Sequence, residues 1–254
     1  MVDRFTITYP LPEGEEERNA YIYLPKSYFT SKRKRYPVLY MFDGHNVFFD
    51  EDATYGKSWG MEQYMDKTRT QMIIAAVECN HSPDNGRLSE YSPFSFNDAH
   101  LGFVPGRGKE TMEWFVNEFK PFVDENLRTL PGRKHTFIAG SSMGGLMSLY
   151  ALLEYNHVFS GAAALSPSLW TSPKQIRDMI VHANLHPDTV LYMDYGSREF
   201  GNHKSQRRAF GEIATLLMWH KISLNCRIVP GGDHSEASWE KQIPFFMNTL
   251  LYRK

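Results

Sequence analysis

The chain has 254 residues, of which 42% are apolar and 22% charged, and its formal net charge is −1. This charge balance argues against nucleic acid as a partner, because the phosphate backbone favours proteins with a large basic excess. The first residues lack the basic and apolar regions of a signal peptide, and no apolar run approaches the roughly 18 residues of a membrane-spanning helix. We therefore expect a cytoplasmic protein with no membrane partner, folded as one domain over residues 1–254.

Apolar segments and helical periodicity alternate along most of the chain. Strands are predicted at about 4–9, 19–24, 36–42, 72–77, 134–139, 159–164, 189–194 and 223–229. Helices are predicted at about 58–68, 110–128, 143–154, 173–183, 203–220 and 236–251. The alternation predicts a mostly parallel sheet covered by helices on both faces. The first two strands have no helix between them and should pair antiparallel at one edge.

The strand at 36–42 ends in Asp43-Gly44-His45, where Gly44 lets the backbone turn inward. If a serine nucleophile follows downstream, the backbone N–H of His45 is placed to stabilise an oxyanion. Without such a nucleophile, the segment is an ordinary Asp-Gly turn.

The segment from 81 to 108 is rich in Pro, Gly, Asn and Ser and shows neither helical nor strand periodicity. It predicts a long loop without secondary structure that reaches over the site, and an Arg87–Glu90 pair either pins this loop or is an exposed ion pair that stabilises it little. Aromatic side chains in this loop and just beyond other strands are expected to line a substrate pocket or, taken singly, to fill the core. They are Trp59, Tyr91, Phe94, Phe96, Phe103 and Trp170.

The run from 137 to 146 sets the pattern Gly140-x-Ser142-x-Gly144 between an apolar strand and a helical segment, as in a nucleophile elbow. Glycines give the room that so tight a turn needs. Ser142 is therefore the predicted nucleophile, and the N–H of Met143 is the predicted first oxyanion donor.

A serine hydroxyl needs a base and an acid that orients the base. In this architecture both follow the serine, in the order acid and then histidine. Glu199 follows the strand at 189–194 and is the predicted acid, with Asp194 or a Ser-His pair lacking a strong acid as alternatives. Asp233 is the immediate neighbour of His234, so the required hydrogen bond is difficult to form. His234 follows the strand at 223–229 and is the predicted base.

The remaining metal-binding side chains show no pattern typical of a metal site. His182 and His186 are separated by three residues, but no third ligand accompanies them, so they are expected at a surface helix end. Cys79 and Cys226 are expected to be buried thiols. We expect neither a cofactor nor a bound metal.

Taken together, these motifs resemble the putative esterase family, whose relatives include esterase D, feruloyl and acetylxylan esterases, antigen 85 mycolyltransferases and enterochelin esterases. The resemblance extends over residues 17 to 250 and rests on the segments 40–46, 87–93, 140–145 and 196–199 with His234. It implies an α/β-hydrolase fold with Ser142, His234 and Glu199 as the triad and the N–H groups of His45 and Met143 as the oxyanion hole. Several relatives carry Asp in place of Glu199.

The predicted function is a metal-independent serine carboxylesterase that acts on a small-molecule or carbohydrate-linked ester with a short or aromatic acyl group. An acyltransferase, in which an alcohol replaces water, is an alternative on the same fold. A catalytically inactive binding protein is a second alternative, and an intact Ser, Glu and His set argues against it. A homo-oligomer is compatible with the sequence.

Overall fold

A computed structural model describes residues 1–11, 13–201 and 204–251. The strands are β1 (Val2–Leu11), β2 (Gly14–Tyr23), β3 (Val38–Met41), β4 (Ile73–Val77), β5 (Phe96–Asp98), β6 (Gly102–Val104), β7 (Thr136–Ser141), β8 (Gly161–Leu165), β9 (Val190–Gly196) and β10 (Ser223–Val229). The helices are α1 (Ser27–Thr30), α2 (Met61–Thr68), α3 (Gly86–Glu90), α4 (Gly108–Trp114), α5 (Lys120–Asn126), α6 (Met143–Glu154), α7 (Pro173–His182), α8 (Lys204–Leu217), α9 (Glu236–Glu240) and α10 (Ile243–Leu251).

The main sheet has the strand order β1-β2-β4-β3-β7-β8-β9-β10. The strands from β4 to β10 in this order pair in parallel, whereas β1 pairs antiparallel with β2, and β2 antiparallel with β4. The predictions of a mostly parallel α/β sheet and of an antiparallel edge pair are both confirmed.

Alternate residues of each central strand enter two separate hydrophobic layers, as the two-residue side-chain period of a strand requires. In β3, Val38 and Tyr40 pack in the layer formed with helices α4 to α8. Leu39 and Met41 pack in the opposite layer, with α2, α9 and α10. Both faces of the sheet are therefore covered, which explains why these strands are apolar throughout.

Two predicted helices are interrupted. The segment predicted as one helix at 110–128 forms α4 and α5, joined by a wide π turn at Phe115–Phe119. Pro121 follows this turn and has no N–H for the helical ladder, and local widening is one way to accommodate it. The helix predicted at 236–251 is likewise divided into α9 and α10.

The segment from 81 to 108 is not the structureless loop that its composition predicts. It contains α3 and the hairpin of β5 and β6, in which Phe96 pairs with Val104. The Asp98 carboxylate accepts the N–H groups of His100 and Leu101 and closes the hairpin turn. These elements have only three to five residues each, so they are too short to show a period in sequence.

None of the helices in the described ranges is both long and apolar enough to cross a membrane.

The turn from β7 into α6 is tightly packed against β8. Ser142 lies at φ 58° and ψ −119°, and its N–H donates to the Leu165 carbonyl in β8 at 2.9 Å. A Cβ added to Gly140 would lie 2.7 Å from the backbone of Gly144, and one added to Gly145 would lie 2.6 Å from the Leu165 oxygen. Only glycine at these positions permits β7, α6 and β8 to approach so closely.

Replacing Gly140 with alanine should therefore overpack the turn. We expect Gly140→Ala to lower the free energy of unfolding by about 1–3 kcal/mol, measured by urea denaturation. Gly211→Ala is the matched control, because no atom lies within 4 Å of a Cβ there and alanine should stabilise the α8 interior by up to about 1 kcal/mol. Equal stability of wild type and Gly140→Ala would contradict the packing argument.

Candidate active site

The Ser142 hydroxyl stands at the N-terminal end of α6, where the strained turn presents it to the loops beyond the sheet. Its Oγ lies 2.9 Å from His234 Nε2 and 3.3 Å from the Ser168 Oγ. An N–H from Ser168 also donates to the Ser142 carbonyl at 3.0 Å. The hydroxyl is thus in direct hydrogen-bond contact with an imidazole, which is the first requirement for activating a serine.

His234 lies in the loop that follows β10 and contacts both a hydroxyl and a carboxylate. Its Nδ1 lies 2.9 Å from Glu199 Oε2. The ring packs between Phe200 and Trp239, whose ring centroids are 4.6 and 5.0 Å away. In the neutral imidazole, an Nδ1–H that donates to Glu199 leaves Nε2 free to accept the proton of Ser142.

Glu199 lies just beyond β9 and only 2% of it is exposed. Its second oxygen, Oε1, accepts the Ser166 hydroxyl at 2.5 Å and the Gly196 N–H at 2.6 Å. Trp239 Nε1 donates to the same Ser166 hydroxyl at 3.0 Å. Both carboxylate oxygens are therefore engaged, and the carboxylate is held in one orientation toward His234.

The two other carboxylates considered from sequence point elsewhere. Asp194 is buried in β9, where its oxygens accept the Tyr192 hydroxyl at 2.7 Å and the Ser166 N–H at 3.1 Å. Burial raises the pKa of Asp194 to about 7. Asp233 accepts the Ser235 hydroxyl at 2.5 Å. In the described part of the chain, the carboxylate in contact with His234 Nδ1 is that of Glu199.

The loop after β3 is clamped onto the start of α6. Asp43, at φ 57°, accepts Arg87 Nε at 2.6 Å and Arg87 Nη2 at 2.7 Å. Arg87 Nη2 also lies 3.5 Å from the Ser141 carbonyl oxygen, and a Cβ on Gly144 would lie 3.0 Å from Asp43 Oδ2. Burial by itself would raise the pKa of Asp43, but the Arg87 guanidinium outweighs burial and lowers it. The clamp therefore joins an ionised loop carboxylate to the elbow.

The clamp joins the two segments that carry the predicted oxyanion donors, which are the start of α6 and the loop after β3. Met143 is the first residue of α6, and the first N–H groups of a helix have no partner within the helix. His45 is in the single helical turn Gly44–Asn46, directly after Asp43.

The His45 imidazole is buried. Its Nε2 lies 3.0 Å from Thr54 Oγ1, and its ring centroid lies 4.7 Å from that of His81. Burial lowers the pKa of His45, which favours the neutral ring.

Two of the predicted pocket residues, Trp59 and Tyr91, belong to the core. Trp59 is 3% exposed and packs against Trp239 and Phe246 at ring centroid distances of 6.1 and 6.2 Å. Tyr91 is 1% exposed and its ring packs on Phe42 at 5.0 Å. The predicted role of these two rings as pocket walls is corrected, because neither surface is open to a ligand.

Trp170 does face a groove. It is 36% exposed and meets the Phe96 ring edge-on at 5.6 Å, so the hairpin of β5 and β6 reaches this side of the site. The groove encloses about 180 Å³ beside the segment 167–169 that contacts Ser142. Its lining is mainly apolar and includes Pro167, Leu169, Trp170, Pro173, Tyr195 and Phe210.

The expected Arg87–Glu90 ion pair is not formed. Arg87 binds Asp43, as described above, and Glu90 binds the buried Arg18 guanidinium at 2.8 and 2.9 Å. Sequence analysis also missed the Ser166 hydroxyl that binds Glu199. The signal available for Ser166 was its position directly after β8, at the same sheet edge as the other site residues.

Comparisons with known proteins found a matching family, similar sequences and similar folds. A family model described as Putative esterase matches residues 12–249. The chain is 27% identical over 191 residues to uncharacterized protein YbbA of Bacillus subtilis (strain 168). The aligned region covers 74% of this chain and 71% of that protein.

The chain is 33% identical over 167 residues to Esterase Rv1288 of Mycobacterium tuberculosis (strain ATCC 25618 / H37Rv). The aligned region covers 65% of this chain and 32% of that esterase. The chain thus spans about a third of the mycobacterial protein. A solved ferulic acid esterase has the same fold, with a TM-score of 0.72 at 17% identity over 99% of this chain and 98% of that one.

The contacts of Glu199 and Asp194 predict unequal effects of removing their charge. We expect Glu199→Gln to lower kcat by roughly 10²–10⁴, because an amide no longer stabilises the imidazolium. Asp194→Asn should cost less, since its amide oxygen can still accept the Ser166 N–H and its amide nitrogen can donate to the Tyr192 hydroxyl oxygen. Steady-state kinetics measures kcat of both variants, with circular dichroism as a folding control. A larger loss of kcat in Asp194→Asn than in Glu199→Gln would reassign the acid to Asp194.

Proposed function

Because the chain belongs to the putative esterase family, it is a serine ester hydrolase, and we propose that it cleaves carboxylic esters through the triad Ser142, His234 and Glu199. The observation that carries this assignment is the continuous chain of contacts from the Ser142 hydroxyl through both imidazole nitrogens to Glu199, with each of the two links at 2.9 Å. This arrangement supplies a nucleophile, a base and an orienting acid in the geometry that acyl transfer needs.

In the acylation step, Ser142 Oγ forms a bond to the ester carbonyl carbon while His234 Nε2 takes the hydroxyl proton. The resulting tetrahedral oxyanion collapses, the bond to the leaving alkoxide breaks, and the alkoxide receives the proton from Nε2. Water then attacks the acyl-enzyme with His234 again as base, which releases the acid and restores the serine. Glu199 stabilises the imidazolium in both steps without accepting its proton.

The N–H groups of Met143 and His45 are the proposed donors to the oxyanion. The α6 N-terminus also directs the positive end of its dipole toward this charge. The clamp between Asp43 and Arg87 supports this role, because it presses the His45 loop against the elbow at Ser141 and Gly144. In this proposal His45 acts through its backbone, and its side chain is turned to Thr54 and His81.

The groove beside Ser168 is the proposed site for the apolar part of the substrate. Trp170, Leu169 and Phe210 offer apolar surface, and the polar contribution comes from neutral groups such as Gln206. An uncharged short or aromatic acyl group fits this lining, in a small-molecule ester or in one linked to carbohydrate. The similarity of the fold to that of a ferulic acid esterase supports an aromatic acyl group in the proposed substrate.

The nucleophile is tested by paired serine variants. Ser142→Ala should lower kcat for a chromogenic short-chain ester by roughly 10⁶, the scale seen when a catalytic serine is removed. Ser141→Ala, one residue earlier on β7, is the matched control and should retain most of the activity. Labelling by a serine-directed phosphonate, mapped by peptide mass spectrometry, should place the adduct on Ser142. Equal losses in the two variants, or an adduct elsewhere, would refute the assignment.

The groove is tested by filling it. Ala209→Phe adds a ring to the groove lining, so kcat/KM for an aromatic acyl ester should fall about tenfold or more, as expected when a pocket no longer fits its substrate. An acetyl ester should be affected much less. Thr215→Phe, on an exposed position of the same helix, controls for the added ring. A uniform loss on both esters would place the acyl group outside this groove.

A further inference from the structure

Three side chains with metal-binding atoms converge next to the loop that carries the proposed oxyanion donor. One ligand atom from each of His45, Cys79 and His81 lies within 4.8 Å of the other two. His45 and Cys79 are buried, whereas His81 is exposed. The cluster is thus anchored in the protein on two sides and open to solvent on the third.

The sheet topology explains why these residues meet. His45 follows β3, and Cys79 and His81 follow β4, its parallel neighbour. Parallel neighbours end at the same edge of a sheet, so their following loops are adjacent. Between Cys79 and His81, the Asn80 side chain turns the chain by accepting the Ser82 N–H at 2.7 Å.

The buried His45 ring has one nitrogen engaged and the other unused. Nε2 lies 3.0 Å from Thr54 Oγ1, and Nδ1 has no hydrogen-bond partner among the residues that the structure describes. An Nε2–H that donates to Thr54 leaves a lone pair on Nδ1. Metal-binding histidines are commonly oriented in this way, with one ring N–H held by a neighbouring acceptor and the other nitrogen on the metal.

We propose that His45, Cys79 and His81 form a binding site for a thiophilic divalent cation such as Zn²⁺, distinct from the triad and not required for ester hydrolysis. One thiolate and two imidazoles are a donor set that Zn²⁺ favours. The carboxylates nearby are committed, because Asp43 binds Arg87, and Glu78 accepts from Asn19 and Tyr21. Three protein ligands leave a fourth position for water, as in exchangeable zinc sites.

The geometry needs only a small adjustment. Bonds of about 2.0–2.3 Å in a tetrahedral site place neighbouring ligand atoms about 3.5 Å apart, compared with the limit of 4.8 Å found here. The exposed His81 side chain can rotate to close this gap. On binding, the metal–sulfur bond replaces the S–H bond of Cys79, and the proton leaves to solvent.

Occupation of this site should inhibit hydrolysis, an expectation that rests on the proposed function. The metal would pull on the His45 side chain, whose backbone N–H is the proposed oxyanion donor. It would also draw the Cys79 sulfur, which lies near the Asp43 carboxylate, toward the metal. Both changes act on the clamped loop that faces Ser142, and neither requires contact between the metal and the triad.

Binding is tested with Co²⁺, which reports thiolate coordination by a charge-transfer absorption band. Wild type should develop this band with one equivalent of Co²⁺, and Zn²⁺ should displace it. Cys79→Ser should abolish the band, and His81→Ala should weaken Co²⁺ affinity by more than about tenfold, while Cys226→Ser, the matched cysteine control, should retain it. A missing band in wild type, or one lost in Cys226→Ser and kept in Cys79→Ser, would overturn the site.

Inhibition is tested as the ratio of esterase rates with Zn²⁺ and with a chelator, taken within each variant. In wild type, Zn²⁺ should lower the rate more than about tenfold, and in His81→Ala it should lower the rate little. His182 is an exposed histidine elsewhere, so His182→Ala should respond as wild type does. Equal inhibition of His81→Ala would place the inhibitory ion elsewhere and overturn the regulatory part. If the chelated enzyme neither hydrolyses esters nor reacts with the phosphonate, the proposed function fails, and the Co²⁺ titration still decides the metal site.

Discussion

The close approach of β7, α6 and β8 is the constraint on which the site depends. Ser142 is held at a positive φ by its N–H bond to Leu165, and this backbone geometry is possible because Gly140, Gly144 and Gly145 carry no side chain at the contact points. The same turn projects the hydroxyl outward and exposes the first N–H groups of α6. One packing requirement therefore positions both the nucleophile and one proposed oxyanion donor.

The remaining groups reach this point because the central strands are parallel. The loops after β3, β8, β9 and β10 all leave the edge of the sheet at which Ser142 stands, and they carry His45, Ser166, Glu199 and His234. Ser166 links Glu199 to two further residues, since it binds Glu199, Asp194 and Trp239 through its hydroxyl and its N–H. The orientation of the acid thus depends on three separate elements, and its hydrogen bonds are protected by burial.

The loop after β3 has two chemically separate parts. Asp43 and Arg87 clamp one part of it to the elbow, which suits a fixed donor to a developing charge. Its His45 imidazole faces the loop after β4 and joins Cys79 and His81. A ligand bound on the second side would therefore act on the first through a single residue, so the proposed metal site and the proposed oxyanion hole would be coupled.

The sequence by itself determined the sheet class and identified Ser142, His234 and Glu199 as candidates, whose side chains the structure brings into contact. Apolar strands alternating with helices require a covered parallel sheet, and Gly140-x-Ser142-x-Gly144 followed by Glu199 and His234 sets the order in which a triad can be assembled. These features depend on local periodicity and on chain order, which a single sequence contains.

Only the tertiary structure decided which partner each charged or aromatic side chain takes. Arg87 binds Asp43 and not Glu90, Trp59 and Tyr91 are covered by the core, and Trp170 remains at a groove. The convergence of His45 with Cys79 and His81 likewise follows from the pairing of β3 with β4. Such contacts join residues far apart in the chain. They are set by strand register and packing, which composition and residue spacing do not determine.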